Sequence, residues 1–311
     1  MTERNASLGI PVPNYPLAIT FSILDFLTIA GNGFNIIAIS RIPELRTHTG
    51  MCLLALAITE LIFGIFFMPN AIVLSIMGEW LLGDPLCKFE AFGSSIFFLT
   101  SLCILATMSM ERYIRISRPL RHKILLTKNR LMTALVVSFL YSVIMMLPSL
   151  AIPKYLTVVN YCCSLHLSAD SSGIYTICLH LIGYLLPLSI IVFAYLGIFR
   201  IARKAQKTLP GNMELPKKRT RAANIKIARQ ILAVIGTFMF CCTPIVCVTF
   251  VSMVTNVPWY IMTASQVIVV SNNAINPFIY ISITKPLKQK VLVLCRECCK
   301  CCRSNSQQLI P

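Results

Sequence analysis

The stretch CKFEAFGSSIFFLTSLCILATMSMERY, residues 87–113, decides the fold of this chain. It is a long apolar run with Cys87 at one end and the charged triplet Glu111-Arg112-Tyr113 at the other. At about 1.5 Å per helical residue, a helix from Cys87 to Arg112 is roughly 38 Å long, enough to cross a hydrocarbon core of about 30 Å. We therefore expect the cysteine and the triplet on opposite sides of a membrane. A charged pair kept at a membrane edge is usually functional.

The whole chain has the composition of a membrane protein. It is 56% hydrophobic and 13% charged, with a mean hydropathy of +0.75, too apolar for a soluble domain of 311 residues. Seven apolar runs of helical length lie at about 17–40, 51–77, 87–110, 131–152, 174–199, 227–254 and 258–283. None alternates like a strand of an outer-membrane barrel. The pattern predicts an all-α membrane protein, a seven-transmembrane helix bundle over 17–284.

The basic residues predict the orientation of this bundle. Of the 28 lysines and arginines, 24 fall on one side of the membrane, in alternate connecting segments and after the seventh run. The positive-inside rule places that side in the cytosol and the N-terminal segment, 1–16, outside the cell, as in a multi-pass protein of the plasma membrane. The net charge of +17 then faces lipid head groups. Charges carried by loops between spans do not indicate nucleic-acid binding.

Short motifs recur in a fixed order along the seven runs. They are Gly31-Asn32-Gly33, Leu56-Ala57-Ile58-Thr59-Glu60, Trp80 before Cys87, Glu111-Arg112-Tyr113, Pro119-Leu120, Pro187 with Tyr195, Phe238 with Pro244, and Asn276-Pro277-Phe278-Ile279-Tyr280. In this order and spacing the chain resembles the rhodopsin-like family of G-protein-coupled receptors over roughly 17–296. The resemblance implies that an extracellular small molecule signals through the triplet to a heterotrimeric G protein, with arrestin as a further partner.

The resemblance also implies which residues couple the receptor to its G protein and switch it. These are Glu111, Arg112, Tyr113, Pro119, Tyr195, Asn224, Asn276, Pro277 and Tyr280. Pro187, Pro244 and Pro277 interrupt helical ladders inside the membrane and are candidate bending points, provided that neighbouring groups satisfy the freed carbonyls. Asn224 stands where many relatives carry a glutamate that pairs with the arginine of span three. We therefore predict signalling without ligand.

A polar core is expected at mid-membrane. Its positions are Asn32, Glu60, Ser101, Asn272, Asn273 and Asn276, where the family holds a sodium ion and water. Glu60 replaces the usual aspartate, and its extra methylene, together with bulky Phe97, argues against sodium and leaves a protonated Glu60 as the alternative. The tryptophan of the family's Cys-Trp-x-Pro motif is absent from Cys241-Cys242-Thr243-Pro244. Activation by movement of an indole at this point is therefore excluded.

The cysteines divide between the two sides of the membrane. Outside, Cys87 has Cys163 or its neighbour Cys162 as a disulfide partner, and Asn5 lies in a glycosylation sequon. Inside, an amphipathic membrane-surface helix and a Cys-rich tail are expected over 285–311. Its cysteines predict palmitoylation, with a zinc cluster as the alternative, at Cys295, Cys298, Cys299, Cys301 and Cys302.

The outer half of the bundle favours a small-molecule ligand. Its polar candidates for the pocket are Asn70, Glu90, Ser94, His180, Tyr184 and Gln266, among apolar neighbours. Ser94 stands where aminergic receptors carry aspartate, so classical monoamines are disfavoured unless Glu90, one turn outward, replaces that acid. Val270 stands at the position of the retinal-binding lysine, and the seventh run contains no lysine. Covalent retinal binding is therefore excluded, and no other cofactor is expected.

Three other functions compete with the receptor. A channel or transporter would predict inverted repeats or several charges at mid-membrane, and neither is visible. A non-signalling or constitutively active seven-helix protein remains an alternative because of the missing tryptophans. The spans contain no metal-ligand motif or nucleophile constellation, so we do not expect an enzyme.

Overall fold

The computed structural model describes residues 13–151, 156–159, 162–165, 173–207, 215–252 and 254–283. Within these ranges only the backbone is described at 123, 156–159, 164–165, 173–174, 176, 180, 202, 204–207, 215–231 and 282–283. The expected helix and tail at 285–311 and the sequon at Asn5 lie outside the described residues.

Seven helical spans form the described structure, which confirms the predicted bundle. They are Tyr15–Arg41; His48–Phe66 continued by Met68–Met77; Gly83–Ser117; Lys128–Ala151; Gly173–Cys178 continued through the π-helical turns Leu179–Leu185 into Leu186–Lys207; Leu215–Ser252; and Trp259–Ile283. A 3₁₀ turn, Pro43–Leu45, precedes the second span, and a short helix, His122–Leu125, precedes the fourth. Between spans four and five an antiparallel hairpin pairs β1, Leu156–Val159, with β2, Cys162–Leu165.

Six of the described spans are long and apolar enough to cross a membrane. The seventh, Trp259–Ile283, has the length but carries three asparagines, which lower its hydropathy. Those asparagines were predicted to belong to the polar core. The polar residues that lower the hydropathy of this span are therefore the ones expected inside the bundle.

The third span is the central element of the bundle. Of the 18 residues that form its apolar segment, 61% are buried, against 22–44% in the corresponding segments of the other five apolar spans. Its apolar residues, from Ile96 to Met108, form one core cluster with side chains of the second, fourth, fifth, sixth and seventh spans. The large apolar side chains that remain exposed, such as Phe26 and Ile144, face outward, as in a bundle surrounded by lipid.

Side-chain caps explain why two spans begin earlier than their apolar runs. The Asn14 side chain accepts a hydrogen bond from the Leu17 amide at 3.1 Å. The Thr47 hydroxyl accepts one from the Gly50 amide at 3.2 Å. Each cap satisfies an amide that the first helical turn leaves unpaired, so the helices start at Tyr15 and His48.

Neighbouring spans satisfy carbonyls freed by two of the membrane prolines. Proline at 277 cannot donate to the Asn273 carbonyl, and the Asn32 amide of the first span donates to that oxygen at 3.3 Å. In the π-helical turns the Ile182 carbonyl would pair with residue 187, which is proline. The Tyr141 hydroxyl of the fourth span donates to it instead, at 2.5 Å. Both interrupted ladders are thus completed by another helix.

The first and seventh spans approach closely beside the same proline. A Cβ added at Gly31 would lie 2.7 Å from Cβ of Pro277, closer than real atoms come. Only glycine leaves room there for the proline ring. The close contact between Gly31 and Pro277 and the hydrogen bond from Asn32 to the Asn273 carbonyl therefore hold the first span against the seventh.

Candidate functional site

A cavity of about 300 Å³ lies in the bundle and reaches from the β-hairpin at the outer end to the polar core. Cys162 and Cys163 line its outer end, and Glu60, Asn272 and Asn273 line its inner end. Its wall is mostly apolar and aromatic. The rings of Phe67 and Phe97 are tilted against each other with centroids 5.6 Å apart, and Phe98 stacks on Phe238 at 5.8 Å. Such a cavity suits a small organic molecule.

Four of the six residues predicted to contact a ligand line this cavity: Glu90, Ser94, Tyr184 and Gln266. Asn70 is not among the lining residues. Its amide donates to the Phe66 carbonyl at 3.1 Å, and its side chain also interacts with Glu90. The His180 side chain lies outside the described residues.

Cys242 and Phe238 of the sixth span line the cavity where the family's tryptophan is missing. Cys242, at the position of the missing indole, is fully buried and lines the cavity. Phe238 is 2% exposed and stacks on Phe98 of the third span. The sixth and third spans therefore meet through an aromatic stack one turn before Cys242. This contact was not predicted, because nothing in the sequence pairs these two helices.

The polar core forms around Glu60, which is 1% exposed. The Asn276 amide donates to its Oε1 atom, and Asn32 also interacts with the carboxyl. Ser101, Asn272 and Asn273 line the adjacent inner end of the cavity. The predicted members are thus brought together from the first, second, third and seventh spans.

Oxygen atoms without partners show what the polar core can hold. Among the described residues, Oε2 of Glu60 and Oδ1 of Asn32, Asn272 and Asn276 are buried without a hydrogen-bond partner. Oxygen atoms of this kind are chemically suited to a hard cation or to ordered water. The Asn276 amide, however, points its hydrogens at Oε1 of Glu60, which opposes a cation at that oxygen.

The charged triplet lies at the opposite end of the third span. Glu111 is 1% exposed and Arg112 5% exposed. Nε of Arg112 lies 3.1 Å from Oε2 of Glu111, an ion-pair distance without hydrogen-bond geometry. Arg115 donates to the other oxygen, Oε1, from Nε at 2.9 Å and from its terminal nitrogen at 2.5 Å. One buried carboxylate therefore serves two arginines, and Arg115 holds it at the shorter distances.

The second span completes this charged cluster. The Thr49 hydroxyl lies 3.4 Å from Oε2 of Glu111, and Nδ1 of His48 lies 3.4 Å from Arg115. Arg115 could have been found from the sequence, because it stands four residues after Glu111 on one helix face. Thr49 and His48 could not, since their helix meets the third span only in the folded bundle.

The other predicted coupling residues surround the triplet unevenly. Tyr195 is close enough to interact with the charge of Arg112, and Tyr280 is 2% exposed in the core. Their hydroxyls have no hydrogen-bond partner in the described part of the chain. The Tyr113 ring lies against Gly197, where an added Cβ would come within 2.4 Å of it. Pro119 is exposed, and Leu120 beside it is 92% exposed.

Some predictions fall outside the described atoms. The Asn224 side chain is not described, nor are any of the five tail cysteines or Asn5. Cys87 forms a disulfide with Cys163, with a Cα–Cα distance of 5.2 Å, so the bond selects Cys163 over Cys162. It ties β2 to the outer end of the third span.

Comparison with known proteins agrees with this arrangement. The family model "7 transmembrane receptor (rhodopsin family)" matches residues 31–280. Melanopsin of Mus musculus is 28% identical over 308 residues, covering 92% of this chain but 58% of the melanopsin. Galanin receptor type 1 of Mus musculus is 25% identical over 321 residues, covering 98% of this chain and 89% of the receptor. The chain thus spans somewhat over half the length of the melanopsin that it matches.

Among solved structures, squid rhodopsin shares the fold. It superposes with a TM-score of 0.82 over 96% of this chain and 88% of its own chain, at 21% sequence identity.

Proposed function

The chain belongs to the rhodopsin family of seven-transmembrane receptors, and from that premise we propose that it transmits the binding of an extracellular small molecule to a heterotrimeric G protein. The observation that carries the proposal is the third span itself. One continuous helix, Gly83–Ser117, lines the cavity near one end and carries the buried Glu111–Arg112 pair near the other. A ligand that shifts this helix changes the surroundings of both sites.

The resting cluster around Arg112 is suited to a two-state switch. Its guanidinium is buried, and its ion pair with Glu111 at 3.1 Å lacks hydrogen-bond geometry. The buried Tyr195 and Tyr280 hydroxyls have unused hydrogen-bonding capacity. A rearrangement that separates Arg112 from Glu111 therefore exchanges this ion pair for new contacts.

The proposed setting is the plasma membrane, with the disulfide outside and the triplet in the cytosol. What supports it is the distribution of the 24 basic residues. Arrestin is proposed as a second partner at the same cytosolic face. The basic connecting segments on the cytosolic side would lie close to the lipid head groups.

The proposed ligand is not covalently bound retinal. A Schiff base requires a lysine amine, and the seventh span, Trp259–Ile283, contains none; Val270 lines the cavity at the expected position. The name melanopsin therefore does not carry over as a light-sensing function. Nor is sodium part of the proposal, because the Asn276 amide already occupies one oxygen of Glu60 and leaves only the other for a cation.

A cell assay of G-protein activation across all G-protein classes tests the receptor function. Wild type and Arg112→Ala are compared at equal surface expression, with Arg118→Ala as control because Arg118 is an exposed arginine at the end of the same helix. We expect Arg112→Ala to lose signalling by tenfold or more, corresponding to about 1.4 kcal/mol, and Arg118→Ala to keep it. Identical signals from wild type and Arg112→Ala, basal and with a broad ligand panel, would refute the proposal.

A further inference from the structure

The outer part of the cavity contains a buried acid that no described residue neutralises. From its surroundings we propose that the cavity binds a protonated amine carried on an apolar body, with Glu90 as the counter-ion. This inference rests on the proposed receptor function and names the ligand class of that site.

The position of Glu90 suits a residue that binds a ligand rather than one that only holds helices together. It lies on the third span, is 2% exposed and lines the cavity. The Asn70 side chain and the Cys163 backbone interact with its carboxyl, yet Oε2 has no hydrogen-bond partner among the described residues. A buried oxygen left without a donor is costly, and a ligand N–H directed at it removes that cost.

The polarity of the cavity indicates which ligands it accepts. Three of its lining residues, Glu90, Glu60 and Asn272, each have a buried side-chain oxygen without a partner among the described residues. The amide oxygen of Asn272 accepts hydrogen bonds, and so do the oxygens of the two glutamates once these are ionised. None of the described lining residues is lysine, arginine or histidine. A carboxylate or phosphate ligand would therefore meet acids without a counter-charge, whereas a cation brings both the charge and the donors that the cavity lacks.

The two acids of the cavity are not equivalent. Oε1 of Glu60 already accepts the Asn276 amide, and Glu60 lies at the inner end among asparagines. Glu90 lies at the outer end, beside the disulfide-bonded hairpin. This is the end that a ligand from outside the cell would reach first. We therefore assign the charged group of the ligand to Glu90.

The remainder of the cavity suits an apolar body. Its volume of about 300 Å³ and its aromatic walls, which include Phe67, Phe97 and Phe98, fit an aryl or alkyl group. Aromatic faces also attract a nearby ammonium group. A lipophilic amine thus matches both the acid and the wall.

Thermal stabilisation of the purified full-length chain tests the inference. The probes are phenylalkylamines with chains of two to six carbons, each compared with the alcohol of the same skeleton. We expect amines to raise the melting temperature of the wild type more than their alcohols. Glu90→Gln should weaken amine affinity by about 30-fold or more, because a buried charge pair is lost. Glu79→Gln, at an exposed glutamate on the same side of the membrane, should leave it unchanged.

Two results would overturn the assignment: equal stabilisation by amines and alcohols, including none by either, or Glu90→Gln with undiminished amine affinity. If Glu90→Gln does not fold, the N-acetyl derivatives of the same amines, which keep an N–H but carry no charge, decide on the wild type alone. They must stabilise it less than the amines do. Because binding is read without a G protein, amine binding without signalling refutes only the receptor function, and signalling without amine preference refutes only the ligand class.

Discussion

At the scale of single residues, the proposed switch depends on the buried carboxylate of Glu111. Two arginines share it, and the shorter contacts belong to Arg115, not to the Arg112 of the triplet. Since Glu111 is almost fully buried, it needs a positive partner in either state of the switch. Arg115 supplies one without Arg112. Glu111 therefore keeps a positive partner when Arg112 moves away, and the release of Arg112 costs less free energy than it would without Arg115.

Arg115→Ala should lower signalling in the absence of ligand. With Arg115 gone, Arg112 becomes the sole arginine partner of Glu111 among the described residues, and the resting state gains stability. We expect about 1 kcal/mol, or roughly a fivefold drop in basal G-protein activation at equal surface expression. Arg118→Ala is the matched control and should change nothing. Unchanged or increased basal activity in Arg115→Ala would contradict the shared-carboxylate account.

At the scale of helices, the membrane prolines show how one span depends on another. The Asn273 carbonyl freed by Pro277 is satisfied from the first span, and the Ile182 carbonyl opposite Pro187 from the fourth. A helix interrupted in lipid would leave these carbonyls unpaired at a cost of several kcal/mol. The interruptions are therefore stable only inside the bundle, and the partner helices keep them available as bends.

Gly31→Ala should loosen the contact between the first and seventh spans. The added methyl would lie 2.7 Å from the Pro277 ring, which is rigid, so the two helices must separate. We expect a loss of about 1–3 kcal/mol, seen as a lower melting temperature of the purified chain.

Gly33→Ala is the control for this substitution, because an added methyl there meets nothing within 4 Å. It should leave the melting temperature unchanged or raise it slightly, since alanine favours the helix. Equal melting temperatures for Gly31→Ala and Gly33→Ala would show that the close approach at Pro277 is not maintained.

At the scale of the whole molecule, the proposed function requires that two sites at opposite ends of one helix share an equilibrium between two states. The sequence predicts that this equilibrium lies partly toward the active state, because Asn224 cannot provide a carboxylate to Arg112. The contacts of Arg115 with Glu111 act in the same direction. Ligand and G protein then each shift a population that already exists.

Asn224→Glu should restore the missing restraint and reduce basal second-messenger output. A carboxylate at this position, which in many relatives pairs with the arginine of span three, would favour the resting state by about 1 kcal/mol, again roughly a fivefold decrease. Asn224→Gln, which adds length without charge, should signal like the wild type. Basal output of the wild type no higher than in mock-transfected cells would remove the premise of ligand-free signalling.

The sequence by itself determined the class of this protein. Seven apolar runs, the distances along the third run and the order of short motifs depend on local composition and spacing, and the described spans agree with them. The boundaries moved outward where Asn14 and Thr47 cap helices, because a cap adds a polar turn to an apolar run. The presence of an acid at 90 and the pair at 111 and 112 could likewise be read directly.

Only the tertiary structure decided which groups satisfy one another. That Cys163 rather than Cys162 bonds Cys87, that Asn32 and Tyr141 serve carbonyls on other spans, and that His48 and Thr49 join the Glu111 cluster all depend on helices distant in sequence. The same holds for the unpaired oxygen of Glu90 in an otherwise apolar cavity. In a bilayer each polar group must find its partner within the protein, and that partner is fixed by packing rather than by local sequence.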